Sequence, residues 1–216
     1  MTGRPVTGRT RLVRTGEWAD PVPPHDRDLA HRAPPTAAPD RPPLLCLPDR
    51  GHGAESFAAR WLDHAAGRGY PAYALTPRSP RLADARGLRV HVHDAVQAAA
   101  GLPRRAVLFG YGQGAVVARY ALARYPAAAA VLLAPAPVGR WRRWRLGPPE
   151  AVAGRPAVLV AGCPDDPGAS AAGLAAAAGE YGHGPLLFPG RSAGLLTSDA
   201  GLTALDAILD WLDHHR

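Results

Sequence analysis

The stretch Ala106–Pro126, AVLFGYGQGAVVARYALARYP, sets an apolar run, a glycine-rich turn and an alanine-rich helix end to end. The run Ala106–Phe109 does not alternate with polar residues, so it reads as a strand buried on both faces. Gly110, Gly112 and Gly114 fill the turn. Val116, Val117, Tyr120 and Ala121 then recur at helical spacing, predicting a helix over Gln113–Tyr125. The same unit repeats outward along the chain. Leu44–Leu47, Ala72–Leu75, Ala130–Ala134, Ala157–Gly162 and Leu186–Phe188 are further continuous apolar runs. Between them the pattern predicts helices at Ser56–Arg68, with Phe57, Trp61, Leu62 and Ala65 on one stripe, and at Val90–Leu102, Ala169–Tyr181 and Leu202–His214. Strand alternates with helix, which implies an α/β fold with a mostly parallel central sheet flanked by helices. Sites in such sheets lie at the carboxyl ends of the strands.

The chain has 216 residues, enough for one domain with a sizeable core, and is 47% apolar and 20% charged. Its net charge is +7, yet it contains no lysine and no asparagine, and its only isoleucine is Ile208. Selection for a nucleic-acid partner would not remove lysine, so that partner is not expected. Cys46 and Cys163 have no metal-ligand spacing and form no disulfide framework. The N-terminus lacks the apolar core of a signal peptide, and no run approaches membrane-spanning length. A soluble, cytoplasmic protein is the expectation. Residues 1–42 form a Pro/Arg-rich arm, with short edge strands expected at Thr10–Glu17 and Leu29–Arg32; residues 43–216 form the α/β domain.

Two readings of the turn stand side by side. A strand, a glycine turn and a helix can form a phosphate loop. However, GYGQGA is not the full dinucleotide fingerprint, lacks the lysine of a P-loop, and follows the third buried run rather than the first. Alternatively it is a nucleophile elbow, G-x-S-x-G, in which Gly110 and Gly114 let strand and helix approach closely. The elbow's central residue takes a strained positive φ. Serine bears that strain at a cost of about 1–3 kcal/mol, whereas glycine adopts it freely. The central residue here is Gly112, which has no side chain with which to attack.

Several segments in order bear on the choice: PDRGHGAESF from Pro48, AGRGYPAYALTPR from Ala66, VLFGYGQGA from Val107, and AAVLLAPAPVG from Ala129. With VLVAGCPDD, LLFPGRSAGLL and ILDWL further on, these resemble the α/β-hydrolase superfamily, in particular bacterial lipase- and esterase-like members. The resemblance spans Pro42–Val138 and Pro156–Leu212. Taken residue by residue, it places the nucleophile serine on Gly112 and the catalytic histidine on Ala193. The oxyanion-loop His-Gly pair falls on Pro48-Asp49. Only the acid is kept, as Asp166, or as Asp165 if the loop shifts by one. The superfamily's cap is reduced to a loop or short helix over 136–155.

In a serine triad the serine attacks, histidine moves the proton, and the acid orients the histidine. An acid alone does none of this, and a carboxylate at Asp49 has the wrong sign for stabilising an oxyanion. The resemblance therefore implies a catalytically inactive homologue, a pseudoenzyme, that binds a small ligand through Pro48, Asp49, Tyr111, Gly112 and Gln113. Neither a cofactor nor a metal is expected. His91 and His93 lie two apart on a helix and face different ways; His183, His214 and His215 read as solvated. One alternative is an active small esterase, lipase-like hydrolase or lyase using Cys163, Ser192 or His52. Another is an interaction module built on RWRRWR, where Arg140, Trp141, Arg142, Arg143, Trp144 and Arg145 would meet a membrane surface or a protein partner.

Overall fold

The central strands are covered twice, which is why their sequences do not alternate. These strands are β2 (Leu44–Leu47), β4 (Val107–Tyr111), β5 (Ala129–Leu133) and β6 (Ala157–Gly162). Leu45, Leu47, Leu108 and Leu132 pack on one face with Leu88, Val92, Val116 and Val117. Leu44, Cys46, Val107, Phe109 and Val131 pack on the other with Trp61, Tyr70, Ile208 and Leu212. Successive side chains of a strand point to opposite faces, so a strand buried between two layers is apolar at each position.

The computed structural model describes residues 28–36, 40–78, 85–137, 156–166 and 168–215, with backbone alone at 85, 86 and 193. With β1 (Leu29–Arg32), β3 (Ala72–Leu75) and β7 (Leu186–Leu187), the sheet has seven strands in the order β1-β3-β2-β4-β5-β6-β7. All neighbours are parallel except β1, which lies antiparallel on β3 with Leu29 opposite Leu75. The Leu29–Arg32 expectation thus corresponds to an edge strand. Thr10–Glu17 lies outside the described residues.

The chain leaves β2 for β3 on one side, then crosses back to β4 on the other. The loops following β2 and β4 therefore diverge, opening a crevice at the carboxyl ends of the two strands.

The helices differ from the sequence reading mainly at their ends. The Ser56–Arg68 stripe is two helices, α1 (Glu55–Ala58) and α2 (Trp61–Gly67), broken at Arg60, whose φ is −148°. The break lets Phe57 and Trp61 both meet Phe109 edge-on, at 6.2 and 5.4 Å between ring centres. Helix α3 (Ala85–Ala100) begins before Val90, and its Leu88 is buried. Helix α4 (Gln113–Ala121) stops short of Tyr125, whose hydroxyl turns inward to accept from the Ala106 N–H at 2.8 Å.

Helices α5 (Ala171–Gly179) and α7 (Asp199–His214) start after Ser170 and Ser198, whose hydroxyls accept from Gly173 and Gly201 N–H. A short helix, α6 (Ser192–Leu195), stands where the sequence suggested only a loop. Among the described residues no helix is long and apolar enough to cross a membrane.

Candidate active site

The turn between β4 and α4 is built by what its glycines lack. A methyl on Gly114 would lie 2.6 Å from the Pro48 carbonyl oxygen and closer still to that of Leu47. One on Gly110 would lie 2.5 Å from the Ala115 nitrogen. Helix α4 consequently sits directly against the end of β2. Between these glycines, Gly112 has φ 58° and ψ −115°, the conformation that disfavours any side chain. Its N–H donates to Leu133 O at 3.0 Å, and its carbonyl accepts from Ala136 N–H at 3.1 Å. The strained geometry of an elbow is thus present and anchored at both ends.

The space where an elbow side chain would stand is filled. A Cβ on Gly112 would lie 2.8 Å from Asp49 Oδ2 and closer to the rest of that carboxylate. Asp49 Oδ1 accepts from the Gln113 N–H at 2.7 Å. That N–H opens α4 and has no acceptor within the helix. It is also the residue after the nucleophile position, where an elbow supplies an oxyanion donor. The negative charge at a helix N-terminus is itself favourable, by about 0.3–1 kcal/mol. Asp49 is held in place by a tight turn, in which His52 N–H donates to Asp49 O at 3.2 Å and Gly51 has φ 80°. Pro48, behind it, is buried.

On the other side of Gly112 lies the loop after β6. Asp166 accepts from Gly168 N–H at 2.8 Å through Oδ1 and from Ser192 N–H at 3.2 Å through Oδ2. Of the two candidate acids, Asp165 is exposed and Asp166 points back into the protein. Asp166 thus reaches the start of α6, beside Ala193, the position matched to histidine. Both its oxygens are engaged by backbone donors. Half-buried Tyr111 senses this cluster: burial, with the charges of Asp49, Asp166 and Cys163, pushes its phenol up to about 12.

The substitute nucleophiles are badly placed. Cys163 is fully buried, and its thiol lies 3.7 Å from Pro189 O. Burial pushes the thiol pKa up, the Ser192 hydroxyl beside it pulls the other way, and Asp166 and Asp165 raise it further. A reactive thiol needs the opposite surroundings. Ser192 is 1% exposed, and its hydroxyl finds no well-formed hydrogen bond. His52 is exposed, with Nδ1 3.2 Å from Arg50 O, and no hydrogen bond joins it to Ser192. His91 is buried on α3 while its neighbour His93 is partly exposed. His183 is exposed, as its reading as solvated anticipated, with Nε2 2.5 Å from Val158 O. His214 and His215 are exposed. Arg140–Arg145 lie outside the described residues, as does most of 136–155.

A cavity of about 30 Å³ lies behind the Asp49 loop, walled by Pro48, Arg50, Leu75, His91 and Val117. Pockets for drug-sized ligands run to roughly 300–1,000 Å³. Of the residues singled out in the sequence, the structure sets Asp49 against Gly112 and Gln113, and it ties Asp166 to Gly168 and Ser192. Sequence reasoning missed the hydrogen bond from Gln113 to Asp49, the helix carrying Ala193, and the burial of the Ser192 hydroxyl. A β2 loop ending in an acid opposite a side-chain-free elbow was the available signal for the first of these.

A mostly parallel sheet with its elbow after a central strand and an acid loop after β6 defines the α/β-hydrolase fold. No family model matches the sequence, and no curated protein matches it. Solved structures do match in fold. A thermophilic esterase from the Planctomycetes species Thermogutta terrifontis, bound to butyrate, is similar with a TM-score of 0.58 and 21% identity, over 88% of this chain and 90% of that one. The α/β hydrolase GrgF from Penicillium sp. sh18 is similar with a TM-score of 0.61 and 15% identity, over 88% of this chain and 99% of that one.

Proposed function

We propose that this protein is a non-hydrolytic member of the α/β-hydrolase fold, a pseudoenzyme working in the cytoplasm. One observation carries the reading: the carboxylate of Asp49 takes both the space of a nucleophile and the N–H that would bind an oxyanion. Two further features support it. Gly112 has no nucleophilic atom, and the acid Asp166 is engaged by backbone N–H groups rather than by an imidazole. Esterases with this fold cleave esters through groups that this chain replaces with Gly112 and Ala193.

Retained binding and oxyanion stabilisation alone give roughly 10³–10⁴-fold over water in a disabled triad. With Asp49 in the oxyanion site, even this residue of catalysis is suppressed. The test is incubation of the purified full chain with a fluorophosphonate probe and with short p-nitrophenyl esters. We expect no covalent adduct by intact mass and no turnover above a heat-denatured control. An adduct on Cys163 or Ser192, or turnover abolished by Cys163→Ala or Ser192→Ala, would establish an active enzyme instead.

A further inference from the structure

We propose that Asp49 is an intramolecular plug: its carboxylate and any side chain at position 112 are alternative occupants of one space, and Asp49 controls access to the Gln113 N–H. This deepens the non-hydrolytic reading and rests on it. The contact joins residues 64 apart in sequence across the crevice between β2 and β4. Three independent features converge on it. The space a Cβ of residue 112 would need is taken by the Asp49 carboxylate, a side chain, whereas the spaces at Gly110 and Gly114 are closed by backbone. A side chain can swing away; backbone cannot without unpicking the sheet.

The Gln113 N–H is the first donor of α4, and Asp49 supplies its acceptor. Finally, a cavity of about 30 Å³ adjoins the Pro48–Gly51 turn and is lined by Asp49 itself, so the carboxylate is not packed solid on that side and can swing toward it. The three together describe a closed position held by one charge-assisted hydrogen bond, with room for an open one.

The arrangement makes position 112 and Asp49 energetically coupled, whereas residues touching through rigid walls would only add. Two measurements on the full chain test it. The first is amide hydrogen exchange at Gln113. Asp49→Ala is expected to speed exchange about tenfold or more, while Asp49→Asn, which keeps an oxygen acceptor, preserves most of the protection. Unchanged exchange in Asp49→Ala overturns the plug. The second is a double-mutant cycle on melting temperature. Gly112→Ala is expected to lower the midpoint several degrees more in the native background than in the Asp49→Ala background. In the latter, only backbone strain remains.

Equal drops overturn the proposal. A Gly112→Ala protein that folds only when Asp49 is also replaced is the same coupling at its limit. If Gly112→Ala folds in neither background, Gln113 exchange alone decides. The outcomes separate from the fate of the parent reading. Fluorophosphonate labelling of the native chain sinks the non-hydrolytic reading and leaves this cycle intact. Equal drops with unchanged exchange sink the plug and leave an elbow without a nucleophile.

Discussion

Replacing Gly114 with alanine is expected to be among the most damaging single changes in this protein. The new methyl would stand 2.6 Å from the Pro48 carbonyl oxygen and nearer still to that of Leu47, whereas ordinary contact begins at 3.4 Å. Relief requires the end of β2 and the start of α4 to separate until both contacts reach that distance. Neither can move freely. Leu47 is opposite Gly110 in the β2–β4 ladder, and α4 buries Ala115, Val116, Val117 and Ala118. The opposing atoms are backbone, so no rotamer change absorbs the clash. Overpacking of this kind costs about 3 kcal/mol or more, a large share of a domain stability of about 5–15 kcal/mol.

For a chain of this size that corresponds to a drop in melting temperature on the order of 10 °C. Thermal unfolding followed by circular dichroism, with a urea titration at fixed temperature, measures it. Gly67→Ala is the control. Gly67 closes α2 with nothing within 4 Å of its would-be Cβ, so alanine there should stabilise by about 0.5–1 kcal/mol. A Gly114→Ala protein within about 1 kcal/mol of the parent, with native circular dichroism, would refute the close approach of α4 to β2 and the elbow built on it.

Other expectations are open to direct measurement. Asp94 is 1% exposed and paired with Arg78, whose Nε donates to Oδ2 at 2.7 Å; Asp94→Ala removes that buried carboxylate with its charge-assisted hydrogen bonds and should cost about 1.5–3 kcal/mol in urea unfolding. Burial lowers the His91 pKa, with Asp94 opposing and Arg78 assisting. Because the unfolded chain then protonates more readily than the folded one, stability is fully present above the ordinary histidine pKa and declines as pH falls from there toward the folded value. His91→Gln should flatten that part of the stability–pH curve, and an unchanged slope between pH 7 and pH 5 (about the window for histidine) would count against it. Trp61 Nε1–H donates to Leu195 O at 2.9 Å in the buried core, so Trp61→Phe should cost about 1–3 kcal/mol by stranding that carbonyl. No loss in thermal stability would mean that water or a neighbour satisfies it.

The fold was legible because double burial writes itself into composition. Runs such as Leu44–Leu47 and Val107–Phe109 are apolar at each position only when both faces are covered. The elbow was legible because Gly110, Gly112 and Gly114 join a buried run to a helix within one short stretch, and Gly110 answers to the nearby Ala115 backbone. That Gly114 answers to the carbonyls of Leu47 and Pro48, distant in sequence, was not legible there. Helix ends were harder. The break at Arg60 answers to two aromatic rings meeting on Phe109, and the early stop of α4 answers to Tyr125 turning inward to Ala106; both depend on partners distant in sequence.

The site divides the same way. The turn around Gly112 could be read from neighbouring residues, whereas the acid came from the resemblance alone, as Asp166 or Asp165. The bond between Asp49 and Gln113 depended on two loops diverging from β2 and β4, which no local pattern encodes. Likewise, the burial of the Ser192 hydroxyl beside Cys163 follows from a short helix whose four residues carry no periodicity.

A glycine with φ 58° standing against an aspartate has a consequence for how such a chain can change over generations. A serine introduced at 112 by itself would place an Oγ into an occupied volume and add the strain that glycine avoids. Clearing Asp49 first would surrender an N-terminal anion for α4 with nothing gained. Each single step is uphill, so the present arrangement behaves as a ratchet: the chain can diversify its surface freely while position 112 stays glycine.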